Sequence, residues 1–385
     1  MAFRDKVRAF VDDKVIPFVD EWDEAGDVPE SLRREAYAAG IYGATWPAEH
    51  GGTPPPGFDA FHDLIWVDEL ARCGAGGVLW SVFFSFGISL PPVLAQGSQR
   101  LKEMCARPVI SGEKVMSLAV SEPWAGSDVA GLRTTAELTP CGKYYKVNGE
   151  KKWITSGIKA SFFTTAVRTA GAGIGGVSLL LITADTPGVS VRRMKTQGWW
   201  ASNTAYVTFD DAMVPVENLI GKENEGFKYV MHNFNHERFV LAASTNRYSR
   251  VCLEEAINWA RRRKTFGRAH IEHQVIRHKL AEMARRIEST HTWLEHMAAQ
   301  MRAGVGQRQL GGQMALLKVN ATKNMEFCAR EASQIMGGSS YVREGKGQIV
   351  ERLYREVRVN AIGGGSEEVL LDLAANAALG RPAQR

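Results

Sequence analysis

The spacing of hydrophobic positions changes period twice along the chain. Val7, Phe10, Val11 and Ile16, then Leu32, Ala36 and Ile41, recur at the three-to-four spacing that lines one face of a helix. Turn formers between Pro47 and Gly57 interrupt that pattern. From about Lys114 the period becomes two, in the short runs MSLAVS, TTAEL, YYKVNG, EKKWIT, SFFTTAV, VSLLLIT and AYVTFDD. Asn148-Gly149 predicts a type I′ hairpin turn, because both central residues of that turn need positive φ. After Pro215 and the loop GKENEG the helical period returns, through FKYVMHNFNHERFVLAAST, RVCLEEAINWARRRKTFG, the run from Gln274 to Met301, the run from Gln313 to Met336, and VLLDLAANAAL. The expected class is α+β and multidomain: an all-α domain at 1–115, an antiparallel β domain at 116–222, and a bundle of four or five long helices at 223–385.

A chain of 385 residues with 45% hydrophobic content can fill more than one core. The stretch from Arg72 to Arg100 has no charge between its ends and is long enough to raise the question of a membrane span. Its serines and the Pro91-Pro92 pair favour a buried helix that breaks at the prolines. The net charge of +5 is mild, and the cationic run Arg261 to Lys264 reads as a solvated helix face rather than a nucleic-acid site. Such a surplus also suits small phosphate-bearing ligands. Cys73, Cys105, Cys141, Cys252 and Cys328 form no CxxC pair, which points to a reducing compartment without a zinc or disulfide framework. The first residues lack an apolar signal core and carry Asp5, Asp12 and Asp13, so no targeting segment is expected. The cytoplasm fits a bacterial source, and mitochondrion or peroxisome a eukaryotic one.

GAGIGG at Gly171 to Gly176 matches the dinucleotide fingerprint, but another strand, VSLLLIT, follows where a helix is required, so it reads as a hairpin loop. His232 with His236, and His270 with His273, lack a third ligand of suitable spacing and read as surface or interface histidines; no metal is expected. No GxSxG elbow is present. More telling are AVSEPWAGSD, WITSG, RRKTFG, QIMGG and IGGGSEE, which place hydroxyls, close-approach glycines, an indole and an arginine at strand and helix ends. Each alone could be a turn or a cap.

Together, in the order AVSEPWAGSD, WITSG, FDDAMVP, GFKYVM, ERF, RRKTFG, QIMGG, YRE and IGGGSEE, these segments resemble the acyl-CoA dehydrogenase family over nearly the whole chain. The resemblance implies a helical domain, a small β-barrel and a four-helix bundle, FAD as cofactor, and α,β-dehydrogenation of an acyl-CoA thioester in fatty acid metabolism, β-oxidation included. It also implies an electron-transfer flavoprotein as acceptor and a homodimer or homotetramer, because one FAD site draws on two subunits. Leu118, Val120, Ser121, Gly126, Ser127, Trp153 and Thr155 match positions that hold the flavin and pyrophosphate. Arg263, Thr265, Phe266, Gln274, Gln334, Ile335 and Gly338 match positions that grip FAD across the subunit interface, and Ser366 and Glu368 the closing contacts. Ser127, Asn235, Arg238 and Gly364 match substrate-binding positions.

Many members carry their catalytic base in the terminal loop, where this chain has Gly364. A smaller set, resembling the isovaleryl-CoA and long-chain enzymes, supplies it from the first bundle helix immediately before an arginine, where Glu237-Arg238 stands. Glu237 is therefore the expected base, with Glu367 and Glu368 as fallbacks. A desolvated pocket should raise its pKa. A further departure is Gly198-Trp199-Trp200, whose indoles either remodel a surface loop or constrain the ligand. The acyl chain is expected to run toward Trp80, Phe83, Phe84 and Gly87. Two rival readings remain open: a flavin oxidase such as an acyl-CoA oxidase on the same scaffold, and a non-catalytic acyl-CoA-binding protein.

Overall fold

A computed structural model describes residues 2–380; the His232 side chain and residues 381–385 lie outside the described residues. The helical period of the first hundred residues becomes α1 (Ala2–Lys14), α2 (Val19–Ala25), α3 (Ser31–Ala38) and α4 (Ala60–Leu70), the last capped by Asp59, whose carboxylate accepts from the Phe61 and His62 amides. Val7, Phe10, Val11, Leu32, Ala36 and Ile41 are all buried, whereas Ile16 is exposed. The uncharged stretch folds as α5 (Gly76–Leu79), a π-helical turn at Trp80–Phe84, α6 (Ser85–Ser89) and α7 (Pro91–Gln96), then α8 (Gln99–Ile110). By length and composition Gly76–Gln96 could cross a membrane, but most of it is packed inside the protein. Pro91 sits at the first position of α7, where a missing N–H loses no hydrogen bond. The serines are satisfied internally: Ser89 donates to the Met116 carbonyl at 3.0 Å, and Ser156 to Ser85 Oγ at 3.1 Å.

The period-two runs become β1 (Met116–Ala119), β2 (Thr135–Leu138), β3 (Tyr144–Ile154), β4 (Phe162–Arg168), β5 (Val177–Thr183), β6 (Val189–Arg193) and β7 (Ala205–Pro215). They form a curled sheet in the order β1-β4-β2-β3-β7-β6, with β5 on β4. Most pairs are antiparallel, but β1 and β2 both run parallel to β4, Met116 opposite Phe162 and Thr135 opposite Arg168. Asn148-Gly149 is not a hairpin turn. It is a bulge inside β3, where the register against β7 shifts between Val147 and Gly149. The Asn148 amide group bonds Asp211 through both its side-chain oxygen and nitrogen, and a Cβ on Gly149 would lie 2.7 Å from the Thr134 backbone, so the pair is used to bend a strand. GAGIGG is the β4–β5 loop, tied down by the Arg168 guanidinium donating to the carbonyls of Gly171 and Gly173.

The two helical runs after Pro215 merge into α9 (Gly226–Arg262). A short hairpin of β8 (Lys264–Thr265) and β9 (Arg268–Ala269) leads to α10 (Gln274–Arg302), α11 (Gln307–Met336), α12 (Gln348–Ile362) and α13 (Glu367–Leu379). A continuous core joins the N-terminal helices to this bundle. Polar clamps reinforce it: Glu356 accepts from the Gly76 amide at 2.8 Å, and Arg352 donates to Asp20 at 2.5 Å.

Candidate active site

Helical spacing places Asn233, His236, Glu237 and Val240 of α9 on one wall of a cavity of ≈ 200 Å³. The facing wall is aromatic and comes from α4 and the π-helical turn: Trp66, Trp80, Phe83 and Phe84. A π-turn adds a residue to the helix and re-aims side chains, which is why such turns recur at functional sites. Glu237 is 8% exposed and accepts no hydrogen bond among the described residues. Burial pushes its carboxyl pKa up to about 7, against the opposing pull of Arg238, Lys318 and His236. The carboxylate is thus poised as a proton acceptor near neutrality.

The terminal loop between α12 and α13 closes over this group. Gly364 adopts φ +67°, and a Cβ there would stand 2.7 Å from Leu241 Cδ1 and 3.8 Å from Glu237 Oε1. The left-handed backbone at this position disfavours a glutamate, and any side chain there would have to displace the tip of Leu241. Arg238 Nε donates to the Gly364 carbonyl at 3.0 Å and its Nη1 to Asn235 Oδ1 at 3.2 Å; Asn235 donates to the Gln307 carbonyl. Lys318, fully buried, donates to the carbonyls of Ala361 at 2.7 Å and Gly365 at 2.9 Å, and burial lowers its pKa to about 8. Glu367 lies 3.7 Å from Lys323 and Glu368 is exposed; neither lines the cavity.

The residues matched to a flavin fall into groups. Leu118, Val120, Ser121, Gly126 and Ser127 run from the end of β1 into an open loop, and the Lys152 amide donates to the Ser121 carbonyl at 2.9 Å, which brings Trp153 and Thr155 alongside. Trp153 has φ 62° and is 48% exposed, and a Cβ on Gly126 would meet nothing within 4 Å. One exposed and two half-buried hydroxyls, a solvent-facing indole and open backbone suit a planar ring system with an anionic tail, so the donor set fits FAD. Arg263, Thr265, Phe266 and Gln274 cluster at the β8–β9 hairpin, while Gln334 and Ile335 end α11 with Gly338 just beyond. Of these seven residues only Arg263 borders a groove of ≈ 360 Å³, whose walls also include Trp259, Arg262, Met336 and Lys346. Ile335 is buried in the core, so its backbone alone could face a ligand. Ser366 is the residue preceding α13. No hydrogen bond among the described residues joins the Trp153 group to the Phe266 group within one chain.

His236 is half-buried and borders the cavity, its Nε2 2.6 Å from Asp63 Oδ2; burial would lower its pKa, but the charge and hydrogen bond of Asp63, with the charge of Glu237, together raise it. Its pairing with His232 falls outside the described residues. His273 instead bonds Thr265 Oγ1 at 3.0 Å. Asp63, Asn233 and Lys318 escape sequence reasoning because their partners lie on other elements. Trp199 and Trp200 divide the two options for the indole pair: Trp199 is buried and stacks on Trp80, ring centroids 5.3 Å apart, backing the cavity wall, while Trp200 lies beneath the Arg355 guanidinium at 3.7 Å.

Family models for acyl-CoA dehydrogenase match in chain order: the N-terminal domain at residues 1–113, the middle domain at 117–212 and the C-terminal domain at 224–379. An acyl-CoA dehydrogenase of Alternaria alternata, AFT10-1, is 42% identical, over 96% of this chain and 89% of that protein. The solved acyl-CoA dehydrogenase of Geobacillus kaustophilus superposes with a TM-score of 0.91 at 29% identity, covering 98% of this chain and 97% of that one. One from Bacillus anthracis, solved in complex with FAD, gives 0.89 at 25% identity, over 99% of this chain and 66% of that one. Fold and family models together define an oxidoreductase of an FAD-dependent class. The chain belongs to the acyl-CoA dehydrogenase family.

Proposed function

We propose that this chain converts an acyl-CoA thioester to the trans-2-enoyl-CoA, with Glu237 taking the Cα proton. The observation that carries the reading is a buried carboxylate, free of hydrogen-bond partners among the described residues, on the wall of an aromatic cavity. Bound FAD, held by the Trp153 and Phe266 groups, supplies the hydride acceptor at Cβ. The thioester carbonyl would take a hydrogen bond from the Gly364 N–H, which has no backbone acceptor among the described residues. Arg238, itself bonded to Asn235, holds the loop that presents this donor, and both residues would meet the CoA portion. A cavity of ≈ 200 Å³ holds a group of roughly benzene size, so a short or branched acyl group fits better than a long one. Electrons would leave to an electron-transfer flavoprotein, and the exposed Phe266 and Tyr341 support assembly into a dimer or tetramer.

The test is the visible spectrum of the purified protein, followed anaerobically as short, branched and long acyl-CoA thioesters are added. One of them should bleach the oxidised-flavin band. Glu237→Gln should keep the band and bleach about 10²–10⁴-fold more slowly, the usual share of a general base. Undiminished bleaching in that variant would remove Glu237 from its role. Folded protein that carries no flavin would turn the reading toward a non-catalytic acyl-CoA-binding protein.

A further inference from the structure

The rings that line the cavity opposite α9 are not all held from the same side. Trp66 donates its indole N–H to the Ile41 carbonyl at 2.9 Å, and Phe83 meets both Tyr42 and Trp66. Phe84 packs against Trp66 and Trp80. Those contacts stay within the N-terminal helices. Trp80 also stacks on a ring of the β domain: Trp199, in the loop between β6 and β7, with centroids 5.3 Å apart and ring planes at 22°. Trp199 does not line the cavity; it stands behind Trp80. The slot it fills has a floor of bare backbone. A Cβ on Gly76 would overlap Trp199 Nε1, and one on Gly77 would lie 2.8 Å from Trp199 Cα. The Glu356 carboxylate fixes both of those glycine amides. On the far side, a Cβ on Gly198 would lie 2.8 Å from the Arg355 carbonyl oxygen. Trp199 itself is buried at φ 56°, a left-handed conformation costly for a bulky side chain and kept only where the surroundings impose it. Three glycines and a strained backbone thus serve to set one indole against the back of Trp80.

Taking the dehydrogenase reading above as its basis, we propose that Trp199 is a positioning residue that limits the length of the acyl group accepted. By bracing Trp80 it keeps that wall forward and the cavity at ≈ 200 Å³. Side chains around a void relax toward it, so without Trp199 the Trp80 ring would withdraw into the glycine-floored slot and the cavity would extend toward the β domain. The cavity walls come from the two helical domains, and the limit on acyl length is imposed on them by the β domain.

The experiment measures kcat/KM of the holoenzyme, with a redox dye as electron acceptor, for butanoyl-, hexanoyl-, octanoyl- and decanoyl-CoA. The natural chain should favour the short thioesters. Trp199→Gly removes the ring and suits the left-handed backbone. It should raise the octanoyl-to-butanoyl ratio about 10-fold or more, since a single methylene in an apolar pocket is worth about 10–200-fold. Trp199→Phe keeps a smaller ring; it should raise the ratio several-fold and serves if the first variant fails to fold. Trp80→Ala opens the wall directly and should raise the ratio as well. Adding Trp199→Gly to Trp80→Ala should then change it by less than about 2-fold, because both act through the same ring. A merely structural role for Trp199 would lower the rates for all the thioesters alike and leave the ratio unmoved. That result, full additivity with Trp80→Ala, or a natural chain that prefers decanoyl-CoA would overturn the inference and leave the dehydrogenase reading standing. Failure of every thioester to reduce the flavin would overturn both.

Discussion

The aromatic cavity around Glu237 and the surface matched to a flavin are built in opposite ways. The cavity is closed by side chains of one chain: Glu237, Trp80 and Phe83 are all less than a tenth exposed. The flavin-facing residues leave large apolar rings in solvent, Trp153 at 48% and Phe266 at 96%. A core that packs on itself is finished at the level of the single chain. Solvent-facing aromatics gain their stabilisation only when something covers them. On the proposed function, substrate selection is then an internal property of one chain, whereas cofactor retention depends on assembly.

The open surface nevertheless stands on a rigid base, and disturbing that base gives the largest stability effect. Glu122 and Lys151 are both fully buried and meet at 2.8 Å. Glu122 also accepts from the Arg133 amide at 2.6 Å, the Thr134 amide at 2.9 Å and the Trp124 indole at 2.7 Å, while Lys151 donates to the Val120 carbonyl at 3.0 Å. Burial would raise the Glu122 pKa, but Lys151 and these donors hold it below the ordinary value; burial lowers Lys151 to about 8. Lys151→Met leaves a buried carboxylate without its cation and should cost about 3–5 kcal/mol in denaturant unfolding. Glu122→Gln combined with it should recover much of that loss. A cost below about 1 kcal/mol would show that the loop carrying Ser121 and Ser127 does not stand on this pair.

Gly364→Ala probes where the cavity is sealed. Its φ of +67° and the 2.7 Å approach of Leu241 predict a loss of about 1–3 kcal/mol, together with slower flavin reduction as the loop lifts from Glu237. An unchanged melting temperature would show that the seal is soft. The pH profile tests the same enclosure without mutation. Because the Glu237 pKa is raised to about 7, the base is protonated and idle below that pH, so the bleaching rate should climb through neutrality, about tenfold per unit on the acid limb. A profile flat across neutrality would mean that solvent reaches the carboxylate.

How much of this the sequence disclosed follows the same division. Helices and strands that bury one clean face were readable: Val7, Phe10 and Val11 mark α1, and VSLLLIT marks β5. β6 was not readable, because none of its residues is fully buried and no alternation is imposed on it. α12 was missed as a helix because its buried face carries Arg352, Glu356 and Asn360 among the apolar residues, the first two partnering groups far away in the chain. Glu237 was singled out through the family resemblance, by its neighbour Arg238 and the glycine at 364. Asp63 was not, since its meaning comes from His236, 173 residues away, and no local spacing encodes such a contact. Asn148-Gly149 misled because a bulge and a hairpin turn ask for the same backbone freedom.

The smallest expected effect is the one that most sharpens the contrast. Phe266 is nearly fully exposed and sits at φ 52°, a conformation that asparagine tolerates better than phenylalanine. Within the chain its ring meets the His273 ring edge-on at 6.0 Å. Phe266→Asn should therefore leave the unfolding free energy of flavin-free protein, measured at low concentration, within about 0.5 kcal/mol. Flavin content after gel filtration should nevertheless fall, because the lost ring is one that a ligand or second chain would cover. A loss above about 1 kcal/mol in the flavin-free chain would place Phe266 among the residues that pack on their own chain, and the surface would then resemble the cavity more than its exposure suggests.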